Sequence, residues 1–145
     1  MSVSNSIKEE ISLKKFKEKV IDDFRTVSLS RETSVQGRRE VLLGKGKFGI
    51  FGDGKELPQV VMSHFFKDGD YRSGYYRDQT LLMSQNLLSA REIFSAVYGH
   101  PDKVYEKMSG GRQMAGHFLT NTIDENNNWI DQTSQKNHIS DISPT

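Results

Sequence analysis

The chain has 145 residues, of which 34% are hydrophobic, and its mean hydropathy of -0.64 is low for a self-sufficient core. The 20 basic and 19 acidic residues nearly cancel, so the charge balance does not favour nucleic acid or an anionic membrane as a partner. Cysteine is absent, which excludes a disulfide framework, a thiolate metal site and a cysteine nucleophile.

The N-terminal residues carry no targeting signal that the composition reveals. Residues 1–11 are rich in serine and lack the apolar core of a signal peptide, and no stretch of the chain approaches eighteen consecutive apolar residues. We therefore predict a flexible lead-in over residues 1–11 and a soluble, unprocessed, cytoplasmic protein without a membrane partner.

A first helix is predicted from Ser12, which is a suitable N-cap residue. Apolar residues recur after it at intervals of three and four, which places one apolar stripe along a helix. We expect this stripe to pack against the rest of the protein, and we expect the run Gly37-Arg38-Arg39-Glu40 to break or bend the helix. Arg38 and Arg39 are interpreted as exposed charges, with an anion contact as the alternative. The stripe consists of Leu13, Phe16, Val20, Phe24 and Val27.

Two glycine-rich stretches follow. Gly44–Gly49 contains lysines but lacks the Lys-Ser or Lys-Thr ending that a phosphate-binding P-loop requires. Asp53, between Gly52 and Gly54, is predicted to be a turn residue. A second helix is predicted over residues 56–66, with its apolar side chains inward, namely Leu57, Val60, Val61 and Phe65.

The stretch from Ser73 to Gln79 is the strongest candidate for a binding site. It places Tyr75, Tyr76 and Arg77 directly before the largely apolar run 80–88 and thus at a helix entrance. Exposed backbone N–H groups and an arginine fork favour a phosphate there. The alternative is a loop whose guanidinium pairs with Asp70 or Asp78.

A further helix is predicted from a capping box, in which Ser89 and Glu92 satisfy each other's backbone N–H groups. Its buried face should consist of Ile93, Phe94, Val97 and Tyr98. Gly99 and Pro101 should end it.

Glycine then dominates residues 109–117, which favours a loop that orders on ligand binding. His117 in this loop is a candidate proton donor or acceptor, although a structural hydrogen bond is the alternative. Residues 120–145 are too polar to build a core of their own.

Taken in order, several of these motifs resemble one enzyme family. The matching runs are Gly74–Leu87, Ala90–Phe94, Val97–Gly99 and Ser109–Phe118. They look like the thiamine-diphosphate-dependent decarboxylating component of 2-oxo acid dehydrogenase complexes. The resemblance is to the α subunit, or to the α half of a fused αβ chain, and is closer to the branched-chain type than to the pyruvate type.

The resemblance implies a set of site residues. Tyr76 and Arg77 would reach the diphosphate of the cofactor, with Tyr75 beside them. Ser143 and Pro144 look like the beginning of a Ser-Pro stretch that lines the cofactor and a potassium ion. His117 would lie at the substrate channel and is the catalytic candidate.

The resemblance also implies partners and a fold. The partners would be a β subunit or β half and a lipoyl-bearing acyltransferase, within an oligomer. We expect a mainly α chain that is the N-terminal helical portion of a thiamine-diphosphate-binding α/β fold, with a helical region over residues 12–119. Residues 120–145 would form an extended polar segment leading into a cofactor domain.

The resemblance assigns the magnesium site, a Gly-Asp-Gly with an asparagine, to sequence after Thr145, because Gly52–Gly54 lies too far upstream. We therefore expect these 145 residues to be an N-terminal part of the enzyme that does not decarboxylate a 2-oxo acid alone. The alternative function is a non-catalytic helical docking or oligomerisation module.

Overall fold

The structure, a computed structural model, describes residues 11–112 and 118–141, the last three by their backbone alone. It is mainly helical with one small sheet, which confirms the helical part of the fold prediction. The elements in chain order are α1 (Leu13–Leu42), α2 (Glu56–Phe65), β1 (Tyr71–Gly74), α3 (Gln79–Ser84), α4 (Ala90–Val97) and β2 (Asn137–Asp141), with a 3-10 turn at Gln132–Ser134 before β2.

Helix α1 begins at the predicted cap, where the Ser12 hydroxyl accepts a hydrogen bond from the Lys15 N–H at 3.4 Å. It runs unbroken through Gly37, so the predicted break over residues 37–40 is wrong. Gly37 is buried, and a Cβ there would lie 2.3 Å from Cε1 of Phe51. The absence of a side chain at Gly37 therefore allows the Phe51 ring to pack directly onto the helix.

The apolar stripe of α1 faces solvent. Phe16, Val20 and Phe24 are 54%, 48% and 70% exposed, whereas the residues that α1 buries are small or polar. The prediction that the stripe packs against the described chain is therefore wrong, with Val27 at its end half-buried. The buried residues are Ser30, Thr33, Ser34 and Gly37.

The reason for this exposure is the placement of α2. It runs antiparallel to the middle of α1, with Glu56 bound to Arg31 at one end and His64 hydrogen-bonded to Asp23 at the other. The residues of α1 before Asp23 extend beyond α2, and residues 11–22 are all exposed. At 1.5 Å per residue this extension is about 15 Å long.

Helix α2 has nearly the predicted bounds, but most of the apolar side chains that were predicted to point inward are exposed. Val60 is buried, whereas Leu57, Val61 and Phe65 are 67%, 49% and 75% exposed and were expected to point inward. Glu56 and Gln59 are buried beside Val60 because they bind Arg31 of α1 and the backbone around α3.

Helix α3 lies at the centre of the fold and docks on α1 through polar side chains. The Gln79 amide donates to the Ser34 hydroxyl at 2.7 Å and to the Ser30 carbonyl and hydroxyl at 3.1 Å each. The hydroxyls of Ser30 and Thr80 lie 2.6 Å apart. These four side chains, named here the α1–α3 polar network, are all buried. Apolar packing around the network comes from Phe51, Val60, Leu81, Leu82, Leu88 and Val97.

The predicted capping box of α4 is confirmed. The Ser89 hydroxyl accepts from the Glu92 N–H at 3.3 Å, and the Glu92 carboxylate accepts from the Ser89 N–H at 2.8 Å. Val97 is buried as expected. Tyr98, which was expected to be buried, is 51% exposed because its hydroxyl reaches out to Glu40 at 2.9 Å. The helix ends just before Gly99, which has φ 65°.

Strands β1 and β2 pair in parallel, with Tyr71 opposite Asn137 and Ser73 opposite Ser140. The register shifts between Arg72 and Ser73. The polar C-terminal segment thus returns to lie beside the strand that leads into the candidate site. In the two described ranges, no helix has both the length and the apolar character that a membrane crossing needs.

Candidate functional site

The entrance of α3 is occupied by a side chain of the protein itself. The Leu81 N–H donates to Oε1 of Gln59 at 3.1 Å, and the Gln59 amide nitrogen donates to the Arg77 carbonyl at 3.0 Å. Gln79 and Thr80, the first two residues of α3, are buried. The Leu81 N–H is therefore not free to bind an anion, and the side chains of residues 75–77 are the other candidates in this region.

Arg77 is the unusual group in this region. Its Nε is buried without a hydrogen-bond partner, and its guanidinium carbon lies 5.5 Å from the centroid of the Tyr76 ring. Over residues 11–112 and 118–141, no carboxylate forms an ion pair with it. The predicted alternative, pairing with Asp70 or Asp78, is not observed: Asp70 accepts from the Lys67 N–H, and Asp78 is bound by Arg72.

Arg77 lines a cleft of about 350 Å³ together with Arg38 and Asp53. Nη2 of Arg38 lies 2.5 Å from Oδ1 of Asp53. The hydrogen bond from Arg38 is the main reason that the pKa of the Asp53 carboxyl is lowered, against the opposing effect of burial. The cleft therefore holds one arginine that is neutralised by a carboxylate and one that is not. We call it the Arg38/Arg77 cleft.

The two tyrosines are bonded to each other. The Tyr75 hydroxyl donates to the Tyr76 hydroxyl at 2.7 Å, and this bond is the main reason that the pKa of Tyr75 is raised. Because Tyr76 accepts this bond, its own hydroxyl proton can be donated onward. No acceptor for that proton is present in the part of the chain that the structure describes.

The predicted cluster is divided between two neighbouring cavities. Tyr75 and Tyr76 line a small apolar cavity of about 40 Å³ with Leu82, Leu88 and other core residues, whereas Arg77 lines the charged cleft. The segment 49–51 borders both. The structure thus brings Tyr76 and Arg77 into contact, although the two residues line different cavities.

A buried ionic chain behind the site was missed at the sequence level. Arg72 forms an ion pair with Asp78, whose carboxylate also accepts from the Tyr75 N–H, and the Arg72 Nε donates to Nδ1 of His138 at 2.7 Å. This chain joins β2 to the turn that carries the tyrosines. Arg72 and His138 are 66 positions apart in the sequence, so no local signal indicates the pairing.

His138 is fully buried. Its ring makes edge-to-face contacts with Phe66 and Phe118, and the ring centroids are 5.4 Å apart in each pair. Burial, with a smaller contribution from the positive charge of Arg72, lowers the pKa of His138 to about 4. Because Arg72 donates to Nδ1, the neutral ring carries its proton on Nε2.

The glycine-rich loop is anchored by a second missed residue, Glu106, which is 1% exposed. Its carboxylate accepts from the N–H groups of Met108, Ser109 and Gly111 at 2.7 to 3.1 Å. Burial alone would raise the pKa of Glu106, but these donors lower it below its usual value. The Glu106 carboxylate therefore holds the backbone in place immediately before residues 113–117.

The remaining predicted site residues lie outside the described residues, namely His117, Ser143 and Pro144. Where the structure does describe the chain, no three histidine or acidic side chains come together as a metal site would require.

Comparisons with protein-family models, with curated proteins and with solved structures found no match.

The buried imidazole makes stability depend on pH. An unfolded histidine titrates near pH 6.5, whereas folded His138 titrates at about 4, so between these values the unfolded chain binds a proton that the folded chain does not. Stability contributed by neutral His138 should be complete above pH 6.5 and fall by roughly 3 kcal/mol as the pH drops to 4.

The measurement is the free energy of unfolding by urea between pH 7 and 4, for the wild type and for His138→Gln. The advantage of the wild type should shrink steadily over this range, and NMR of the imidazole should give its pKa directly. A constant difference between the two proteins, or an imidazole that titrates near 6.5, would contradict the burial.

Proposed function

We propose that this chain belongs to the α component of a thiamine-diphosphate-dependent 2-oxo acid dehydrogenase and supplies contacts to the cofactor diphosphate from Arg77 and Tyr76. The observation that carries the proposal is that Arg77 lines the Arg38/Arg77 cleft and has a buried Nε–H that bonds to nothing in the described residues. The resemblance of the motif series from residue 74 to residue 118 is the basis for proposing this family.

The physical argument concerns unsatisfied donors. A buried N–H without an acceptor lowers the stability of the fold by about 1–3 kcal/mol. A ligand oxygen that accepts a hydrogen bond from this donor would remove that penalty. Phosphate oxygens suit an arginine fork because they accept parallel, charge-assisted hydrogen bonds. The free hydroxyl proton of Tyr76, whose ring lies against the same guanidinium, adds a second donor nearby. The residues present therefore fit the diphosphate end of the cofactor.

When bound, thiamine diphosphate supplies the carbanion chemistry of oxidative decarboxylation, and the acyl group passes to a lipoyl carrier. The contribution proposed for this chain is to hold and orient the diphosphate. The proposal assigns no magnesium ligand to the residues that the structure describes. His117 at the substrate channel, and Ser143 with Pro144 beside a potassium ion, are parts of the same proposal.

Calorimetric titration of the full protein with thiamine diphosphate and magnesium tests the proposal. Arg77→Ala removes a charge-assisted contact and should weaken binding about tenfold or more. Arg39→Ala is the matched control, because Arg39 is an exposed arginine of α1 that does not line the cleft. It should change the affinity less than twofold. Equal affinities for the wild type and Arg77→Ala would sink the proposal.

One observation favours the alternative function, a docking or oligomerisation module. The stripe residues Leu13, Phe16 and Val20 are solvent-exposed on the part of α1 that extends beyond α2, and Phe24 is exposed just after it. Leu57 and Phe65 of α2 add exposed apolar surface. Soluble monomers seldom expose apolar patches of more than a few hundred Å², and larger ones mark protein interfaces. This surface is compatible with either function, since an assembled dehydrogenase also needs subunit contacts.

Sedimentation analysis of Phe16→Glu/Phe24→Glu tests whether the stripe is an interface. The double substitution places charge in the centre of the stripe and should convert an oligomer into smaller species. It should leave the helical circular dichroism unchanged, because both positions are exposed. Lys15→Glu/Lys19→Glu alters charge without touching the stripe and serves as the control. An oligomer that persists unchanged in the phenylalanine variant would exclude the stripe as its interface.

A further inference from the structure

The Arg38/Arg77 cleft is built from three separate parts of the chain that are packed tightly together. Arg38 follows Gly37, on which the Phe51 ring lies. Asp53 belongs to a turn whose Gly52 has no room for a side chain, since a Cβ there would lie 2.3 Å from the Arg77 carbonyl oxygen. The turn with the carboxylate therefore packs directly against the backbone of Arg77.

The ion pair between Arg38 and Asp53, two residues that line this cleft, is partly exposed to solvent. The Arg38 side chain is 55% exposed and that of Asp53 is 29% exposed. Exposed ion pairs contribute little net stability, typically about 0–1 kcal/mol, so an anion with more acceptor oxygens can compete for the guanidinium. Arg77, by contrast, has no carboxylate competitor in the described residues.

We propose that Arg38 is a second anion-binding residue of this cleft, and that Asp53 is a built-in competitor that holds Arg38 until a phosphate group displaces it. The inference rests on the proposed function, because the ligand class is the diphosphate that Arg77 is proposed to hold. The cleft residues would then bind one phosphate through each arginine, while the released Asp53 carboxylate turns to water.

Charge balance supports this exchange. With both arginines protonated and Asp53 ionised, the three side chains carry one net positive charge in the ligand-free cleft. The lowered pKa of Asp53 keeps its carboxylate ionised at neutral pH, so it competes as a full charge. Neutralising Asp53 should therefore strengthen anion binding, whereas removing Arg38 should weaken it.

The experiment is calorimetric titration of the full protein with inorganic pyrophosphate, without magnesium, at low ionic strength. Asp53→Asn should bind roughly threefold to fivefold more tightly than the wild type, and Arg38→Ala should bind about fivefold or more weakly. In Arg38→Ala/Asp53→Asn the gain from Asp53→Asn should be much reduced, because the competitor acts through Arg38. Arg39→Ala is again the control.

A second measurement does not depend on any variant folding. The side-chain carboxylate resonance of Asp53 in the wild type should shift on addition of pyrophosphate, because its hydrogen bond to Arg38 is broken. A resonance that stays unchanged while pyrophosphate saturates the protein would overturn the inference.

The outcomes separate the two proposals. Binding that Arg77→Ala weakens but that Arg38→Ala and Asp53→Asn leave unchanged would overturn the role of Arg38 and leave the proposed function standing. Wild-type protein that binds neither pyrophosphate nor thiamine diphosphate would overturn both.

Discussion

The α1–α3 polar network is the interaction on which the rest of the structure depends. Gln79 makes three hydrogen bonds to Ser30 and Ser34, and Thr80 bonds to Ser30, in a region that solvent does not reach. Buried polar groups are costly to leave unpaired, so helices that meet through such groups have one favoured register. The network therefore fixes α3 along α1 more strictly than a few leucines would.

The placement of the candidate site follows from this register. Arg77 lies two residues before Gln79, and its carbonyl is held from the other side by Gln59 of α2. Gly52 packs on the same carbonyl, which brings Asp53 to the cleft. Arg38 reaches it from α1, about one turn beyond Ser34 and two turns beyond Ser30. Three helices and one turn thus position two arginines around one space of about 350 Å³.

The sequence predicted the features that neighbouring residues encode. The Ser12 cap, the Ser89–Glu92 capping box and the turn at Asp53 each depend on residues within a few positions of each other, and each is present. The mainly helical class followed from the same local patterns. Tyr75, Tyr76 and Arg77 were placed before the correct helix for the same reason.

The features that were missed depend on distant contacts. A stripe such as Phe16, Val20 and Phe24 shows that a helix has an apolar face, but it does not show whether this chain covers that face. Gly37 favours a break by propensity, yet the helix continues through it, and the Phe51 ring packs where a side chain would lie. Pairs such as Arg72 with His138 join residues that are far apart in the sequence, so no spacing rule could indicate them.

The division of the site between two cavities was also beyond the sequence. Adjacent residues share a loop, but the direction of each side chain depends on what packs around it. Here the tyrosine pair lines a cavity with apolar residues of α3 and α4, while Arg77 lines a cleft with residues of α1. Asp78, the acidic residue directly after Arg77, is paired with Arg72 instead.

The most direct measurement of the central claim is the NMR signal of the Arg77 Nε–Hε group in the full protein during titration with thiamine diphosphate. A buried donor that gains a phosphate acceptor should show a large downfield proton shift and slower exchange with water. The signal of Arg31, which already donates to Glu56, should stay in place. An Arg77 signal that does not move while the cofactor saturates the protein would contradict the account.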